Sequence, residues 1–196
     1  MKRELDLVVS VLALVLASPV IAVAAVAVQL ESPGSAFYSG PRVGRGGKVF
    51  AMHKLRTMRA GPGPSVTAGD DARITRVGRM LRRTKIDELP QLLNVVKGEM
   101  SLVGPRPEHP DYVSRYTPEQ RRLLSVRPGI TGPAVLAYAD EETMLRGGDS
   151  EKRYLEDVMP RKLELELRYL EGASFASDLA ILGRTAALVV RRSAKT

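Results

Sequence analysis

Two adjacent carboxylates, Asp87 and Glu88, stand in a stretch crowded with cations. Arg82, Arg83 and Lys85 precede them, and Arg106 follows in a Gly104-Pro105-Arg106-Pro107 turn. Proline is tolerated in the first turn of a helix, where its missing N–H is not needed. Pro90 therefore fits a short helix opening near Asp87, with Leu89, Leu92, Leu93 and Val96 on one face and Gly98 as its stop. An acid pair at the positive end of a helix dipole has two uses. As a cap it stabilises the helix by roughly 0.5–2 kcal/mol. As an ionised group kept among cations it can attack phosphorus or hold a metal. Composition alone favours the cap.

The rest of the composition narrows the chemistry. The 196 residues include no cysteine, which excludes disulfides and thiolate sites, and only His53 and His109, too few for a multi-histidine zinc site. The net charge of +8 calls for an acidic partner: nucleic acid, an anionic membrane or a phosphorylated substrate. Tryptophan is absent and aromatics are scarce, so a base-stacking platform, and with it a nucleic-acid partner, is not expected.

The order of residues from Asp87 to Glu108, DELPQLLNVVKGEMSLVGPRPE, closely resembles the signature of the bacterial monotopic phosphoglycosyl transferases. These sugar transferases begin glycan assembly (exopolysaccharide, capsule, O-antigen or glycoprotein) on a polyprenyl phosphate carrier. Lys54-Leu55-Arg56-Thr57-Met58 and the run Ser125 to Gly132 resemble two further motifs of the family. The resemblance implies that Asp87 attacks the sugar-bearing phosphate of a UDP-sugar. A phosphosugar–aspartyl intermediate would form, and the lipid phosphate would then take the sugar phosphate. It also implies substrate contacts from Lys54, Arg56, Arg82, Pro105, Arg106, Pro107 and Arg127. A pyrophosphate repels a carboxylate nucleophile unless its charge is compensated. Mg2+, usually held by one or two carboxylates plus substrate phosphates, is the expected cofactor, with Asp87 and Glu88 as available ligands. Glu88 alternatively orients the nucleophile without touching the metal.

The elements that must position these groups begin in the membrane. From Leu7 to Val28 there is no charge, and only Ser10 and Ser18 interrupt the apolar run. About 22 residues at ~1.5 Å each give roughly 33 Å, enough to cross a bilayer. A cleaved leader, a spanning anchor and a re-entrant helix all fit. Ser18-Pro19 is a natural break near the middle, and Ser18 can satisfy carbonyls that proline frees. Lys2 and Arg3 at one end and Arg42, Arg45 and Lys48 beyond the other suit two cytoplasmic ends, although Glu4 and Asp6 weaken the first. The family carries a Ser-Pro break in a re-entrant helix, and Ser18-Pro19 matches it.

Further along, Phe37 to Met58 reads as a hairpin turning at Gly44, Gly46 and Gly47. Ala60 to Gly69 reads as a Gly/Pro-rich loop, and Asp70-Asp71 as the opening of a basic helix that runs to about Arg83, with Ile74, Val77 and Leu81 inward. Thr117-Pro118-Glu119-Gln120 is a reciprocal capping box. After Gly132 the chain departs from the best-known family members, which leaves the sugar open. Helices are expected from about Glu151 to Val158 and Arg161 to Glu171, divided by Pro160. A last amphipathic helix is expected from Phe175 to Arg192, with Phe175, Leu179, Leu182, Ala186 and Val189 on its apolar face and Arg184, Arg191, Arg192 and Lys195 among its basic residues.

The expectation is an α+β, mainly α protein. Residues 1–36 form a re-entrant membrane helix, and 37–196 a cytoplasmic catalytic domain with a short β-hairpin and amphipathic interface helices. Its place is the cytoplasmic face of the bacterial inner membrane, its partners UDP-sugar, polyprenyl phosphate and membrane lipid; a homodimer stays open. The rivals are a secreted protein with a cleaved leader and a membrane-tethered basic module binding nucleic acid or anionic lipid. The latter explains the charge but not the run from Asp87 to Arg106.

Overall fold

The computed structural model describes residues 2–61 and 67–193. Half of the Gly/Pro-rich loop expected at 60–69, residues 62–66, and Lys195 lie outside the described residues. The described chain is mainly helical with two small two-stranded sheets.

Helix α1, Lys2–Glu31, is long and apolar enough to cross a membrane. It continues through Ser18-Pro19, so the expected break does not divide it. The carbonyl that Pro19 cannot bond is that of Val15, four residues back, and the Ser18 hydroxyl donates to it at 2.8 Å. One stripe of α1 packs on the rest of the chain: Ala24 and Val28 meet Leu55 and Leu81, while Ala13 and Leu14 meet Leu92, Leu102 and Ile181. The opposite side is bare, with Leu12, Leu16, Val23 and Leu30 exposed. Both ends are tied to the same body. Lys2 Nζ reaches Asp178 at 2.6 Å, and Arg3 donates to the Val95 and Val96 carbonyls at 2.5 and 2.9 Å. At the other end Glu31 accepts the Arg76 and Val77 amides at 2.7 and 2.8 Å.

The expected hairpin forms from β1, Phe37–Val43, and β2, Val49–Leu55, in antiparallel register from Phe37↔Leu55 to Val43↔Val49. Gly46 and Gly47 supply the left-handed turn, at φ 70 and 76°. The second strand stops at Leu55, short of the expected Met58, because Arg56 turns back to the end of α1.

Helix α2, Arg76–Thr84, opens later than Asp70-Asp71 suggested. Asp71 is spent on the Arg73 guanidinium at 2.7 Å, and Thr75 takes the cap, accepting the Gly78 amide at 2.9 Å. Gly78 lies so close to β2's trailing residues that an added Cβ would sit 2.0 Å from the Thr57 carbonyl oxygen. Helix α3, Gln91–Lys97, stops at Gly98 as expected, at φ 84°. Its buried residues are Gln91, Leu92, Asn94 and Val95, whereas Leu93 faces out.

Two of the family-like runs meet in a parallel pair that the sequence did not suggest: β3, Ser101–Val103, beside β4, Gly129–Thr131. Between them lie α4, Pro110–Val113, and a 3-10 turn, Gln120–Ser125. Thr117 and Gln120 cap it reciprocally at 2.9 and 3.2 Å. Short helices α5, Pro133–Ala137, and α6, Glu141–Met144, follow.

The two helices expected on either side of Pro160 form one continuous rod. It comprises α7, Ser150–Arg153, a π-helical turn Tyr154–Val158, and α8, Met159–Gly172. The wider turn lets Pro160 sit in the first turn of α8 without breaking the rod. Tyr154, Val158 and Leu163 on this rod form a core with Tyr112, Tyr116 and Leu145. Helix α9, Phe175–Ser193, buries Asp178 and Ile181 and leaves Phe175, Leu179 and Val190 exposed. The expected phase is therefore half right, because α9 is apolar on both flanks.

Candidate active site

The acid pair does not begin α3. Asp87 and Glu88 occupy a separate 3-10 turn, Ile86–Glu88, and Pro90 caps α3 after it. Lys85 ends α2 in the left-handed region at φ 61°, which costs a lysine roughly 1–2 kcal/mol. That residue reverses the chain and drops the acid pair into the interior.

The hairpin is fastened to α3 by a buried amide. Asn94 Oδ1 accepts the His53 N–H at 3.0 Å, and its Nδ2 donates to the Ala51 carbonyl at 2.8 Å and Glu99 at 2.7 Å. These bonds set the position of Lys54, next along the strand. Lys54 Nζ donates to Glu88 Oε1 at 3.0 Å. Arg106 approaches from the turn after β3 and grips both oxygens of Glu88, at 2.5 and 3.1 Å, while also donating to the Ile130 carbonyl at 3.0 Å. Burial pushes the Glu88 carboxyl up, but Arg106 and Lys54 outweigh it and hold the group well below the usual carboxylate range. Glu88 is a fixed anion.

Asp87 is the opposite. It is only 5% exposed, and its Oδ1 is buried without a hydrogen-bond partner among the described residues. Burial raises its pKa to about 6, restrained by Lys54, Lys85 and Arg82, while the Glu88 charge adds to the rise. A carboxylate that is poorly solvated and unpaired, yet ringed by cations, has the character of a nucleophile or a metal ligand.

Beside Glu88 opens a cavity of about 920 Å³, lined by Lys54, Lys85, Glu88, Arg106 and Pro107; the buried Asp87 next to it is not among the lining residues. Arg79, Arg82 and Arg83 of α2 and Arg191 and Arg192 of α9 line it too. Arg82 is braced by Thr57 at 3.0 Å and lies 3.2 Å from Glu142. Three residues expected at the substrate have other positions. Arg56 donates to the Pro33 and Ser32 carbonyls at 2.5 and 2.7 Å, holding the exit of α1. Arg127 donates to the Gly98 carbonyl at 2.8 Å, and Pro105 lines a separate small crevice near Val43 and Leu163. None of the three lines the large cavity. Basic residues in turn motifs also hold orphan carbonyls, and from sequence the two uses look alike.

The residues fit a cation such as Mg2+ in one respect. No group of three or more metal-ligating side chains occurs among the described residues, but the ion needs only one or two carboxylates plus substrate phosphates. The unpartnered Asp87 Oδ1 provides such a ligand. Glu88, gripped by two cations, is the weaker candidate.

A family model described as bacterial sugar transferase matches residues 1–192. The chain belongs to the bacterial sugar transferases. The chain is 43% identical over 190 residues to a UDP-glucose:undecaprenyl-phosphate glucose-1-phosphate transferase of Caulobacter vibrioides, covering 94% of this chain and 67% of that one. It is 36% identical to an Escherichia coli protein of the same name, covering 93% of this chain and 38% of the relative. It is 35% identical to the UDP-N-acetylgalactosamine-undecaprenyl-phosphate N-acetylgalactosaminephosphotransferase of Aeromonas hydrophila, covering 94% and 42%. This bacterial sugar transferase chain thus spans two thirds of the first relative and about two fifths of the others.

Several residues of the site gave no signal in the sequence. Asn94 carries no signal of its own within its helix, and Glu108, Glu141, Tyr154 and Lys162, which line the cavity, are scattered over four elements and connections. Only Glu108 stands inside a recognisable motif, directly after Pro107.

Proposed function

We propose that this chain transfers a sugar 1-phosphate from a UDP-sugar to polyprenyl phosphate at the inner face of the bacterial membrane, releasing UMP. The observation that carries this reading is the division of labour in the acid pair. Glu88 is immobilised by Lys54 and Arg106, while Asp87 beside it is left buried, unpartnered and surrounded by positive charge. A charge-driven binding module has no use for a desolvated carboxylate, which repels its acidic partner.

In the first step an Asp87 oxygen attacks the phosphorus that carries the sugar through its ester oxygen, and that ester bond stays intact. A carboxyl–phosphate bond forms and the bond to the bridging oxygen breaks, so UMP leaves with that oxygen. In the second step an oxygen of the lipid phosphate attacks the same phosphorus and Asp87 departs, restored as a carboxylate. Arg82, Arg106 and Lys54 neutralise the non-bridging oxygens as charge shifts. Glu88 keeps Arg106 and Lys54 aimed at the reacting phosphate. Mg2+, where bound, would rest on Asp87 and supply further charge neutralisation to the pyrophosphate.

The membrane geometry supports the same reading. Both ends of α1 bond to one body, and its bare side is apolar, so we propose that the helix enters and leaves the bilayer by one face. Exposed Phe175 and Leu179 on α9 would lie at the same boundary. Single cysteines at Glu4 and Arg45, in a chain that has none of its own, test it: both should label only from the cytoplasmic side.

A screen of UDP-sugars with polyprenyl phosphate and Mg2+, scored by UMP, tests the activity. Folded protein without turnover on any donor would refute it. Loss of UMP release in Asp87→Asn is expected of an enzyme, whereas a basic binding module should bind acidic partners at least as well.

A further inference from the structure

The lining of the cavity falls into two chemically different groups of residues. On the α2 and α9 side the lining is strongly cationic. On the other side lies a mixed cluster. Glu108, two residues beyond Arg106, accepts from the Tyr154 hydroxyl at 2.5 Å and lies 3.4 Å from Lys162 Nζ. Lys162, itself only 8% exposed, reaches Glu141 Oε2 at 2.9 Å and the Tyr154 oxygen at 3.2 Å, and its ammonium stands 4.9 Å from the Tyr154 ring centre. All four residues line the cavity. So does Tyr112, whose ring packs 5.3 Å from that of Tyr154 and whose buried hydroxyl has no hydrogen-bond partner among the described residues.

The two carboxylates are matched by Lys162 and by Arg42, which lines the cavity near Glu108, so this wall carries no surplus positive charge and does not draw phosphate as the α2 and α9 side does. What it offers is acceptors and donors in fixed positions, the chemistry that recognises a polyol. Lys162 stays charged here, because although burial disfavours its ammonium, Glu108 and Glu141 more than compensate. Glu141 is bound to it through Oε2, with a quarter of its side chain open to solvent. The placement also suits the reaction. A donor's sugar is joined through its anomeric oxygen to the phosphorus that Asp87 is proposed to attack, so it would lie close to the acid pair and Arg106. The cationic side suits the phosphates.

We propose that Glu141, held by Lys162 and assisted by Glu108 and Tyr112, is a specificity-determining residue that accepts hydroxyl hydrogen bonds from the donor's sugar. This rests on the transferase reading for the identity of the donor. It extends that reading by assigning sugar choice to the start of α6.

The test is calorimetric binding of UDP, UDP-glucose, UDP-galactose and their N-acetylamino counterparts to the full chain in detergent, in an Asp87→Asn background so that the donor binds without reacting. That parent chain should prefer at least one UDP-sugar over UDP. In Glu141→Gln and Glu141→Ala that preference should shrink by about tenfold, with UDP affinity held within about twofold. Tyr112→Phe, which removes only the unpartnered hydroxyl, should change the ranking of the sugars while keeping the thermal midpoint. The inference is overturned if UDP and UDP-sugars weaken together, if the ranking is unchanged in all three variants, or if no UDP-sugar is preferred over UDP. Preferential binding without UMP release by the wild-type chain would sink the transferase reading and leave the sugar wall standing. UMP release with an unaltered ranking would do the reverse.

Discussion

Replacing Arg106 by methionine probes the grip on the acid pair most cleanly. Glu88 accepts hydrogen bonds from Lys54 Nζ and from two nitrogens of Arg106, so the substitution leaves a buried carboxylate with one cation where there were two. Breaking a buried ion pair costs about 3–5 kcal/mol. Lys54 remains, which argues for the lower end, and the Ile130 carbonyl loses its donor, which adds about 1 kcal/mol. The expected loss is about 3–4 kcal/mol. With a urea slope of about 2 kcal/mol/M, the unfolding midpoint in detergent should fall by about 1.5–2 M. The sign of the pH dependence follows from the depressed pKa of Glu88. The stability it contributes is present above its ordinary value of 4.5 and lost as pH falls through the lower folded value, so the gap between wild type and variant should close in acid. Glu88→Met in the Arg106→Met background should recover part of the loss, a coupling of about 2–3 kcal/mol. A single-variant loss below about 1 kcal/mol, or strictly additive variants, would refute this account of Glu88 as a fixed anion.

Asp87 gives a kinetic counterpart. On the proposed mechanism the reactive form is the carboxylate, so kcat/KM should rise with pH through about 6, and Lys54→Met should move that limb upward because Lys54 restrains the rise; a limb near 4 would contradict it. Its raised pKa also means that ionised Asp87 weakens the fold, with stability falling as pH climbs from the ordinary 3.8 towards 6. Asp87→Asn should therefore be inactive yet more stable at pH 8, by on the order of 1–3 kcal/mol in urea unfolding; an unstable variant would count against it. Glu142 stands 3.2 Å from Arg82 and, on the proposed mechanism, would compete there with substrate phosphate, so Glu142→Gln should lower the donor KM by about two- to fivefold with kcat unchanged. A raised KM would show that Glu142 serves the substrate instead.

What could be read from the sequence was whatever a local pattern carries. The hairpin declared itself through Gly44, Gly46 and Gly47, the end of α3 through Gly98, and the cap at Thr117 through Gln120. The acid pair and Arg106 stood out by type and order, and geometry brings them together. The phase and start of helices were less legible. At α2, Asp71 looked like a cap until Arg73 claimed it, and α9 offers apolar residues on two flanks, so periodicity could not choose which was buried. Three-residue strands such as β3 and β4 are too short to carry a period at all. Arg56 and Arg127 show the limit for site residues. An arginine in a turn-rich motif suits a phosphate or a carbonyl equally, and only the fold shows that theirs are the carbonyls of Pro33 and Gly98. The Glu108–Tyr154–Lys162–Glu141 cluster spans connections far apart in the chain and had no signature to read.

The role of Asp87 can be tested without the lipid. Incubating the chain with a UDP-sugar alone, quenching in acid and weighing the intact protein and its peptides should reveal one added sugar phosphate, on the peptide containing Asp87, together with released UMP. Asp87→Asn should gain nothing. If UMP forms only when polyprenyl phosphate is present, and no mass is ever added to the wild-type protein, the lipid attacks the donor directly and Asp87 is not the nucleophile.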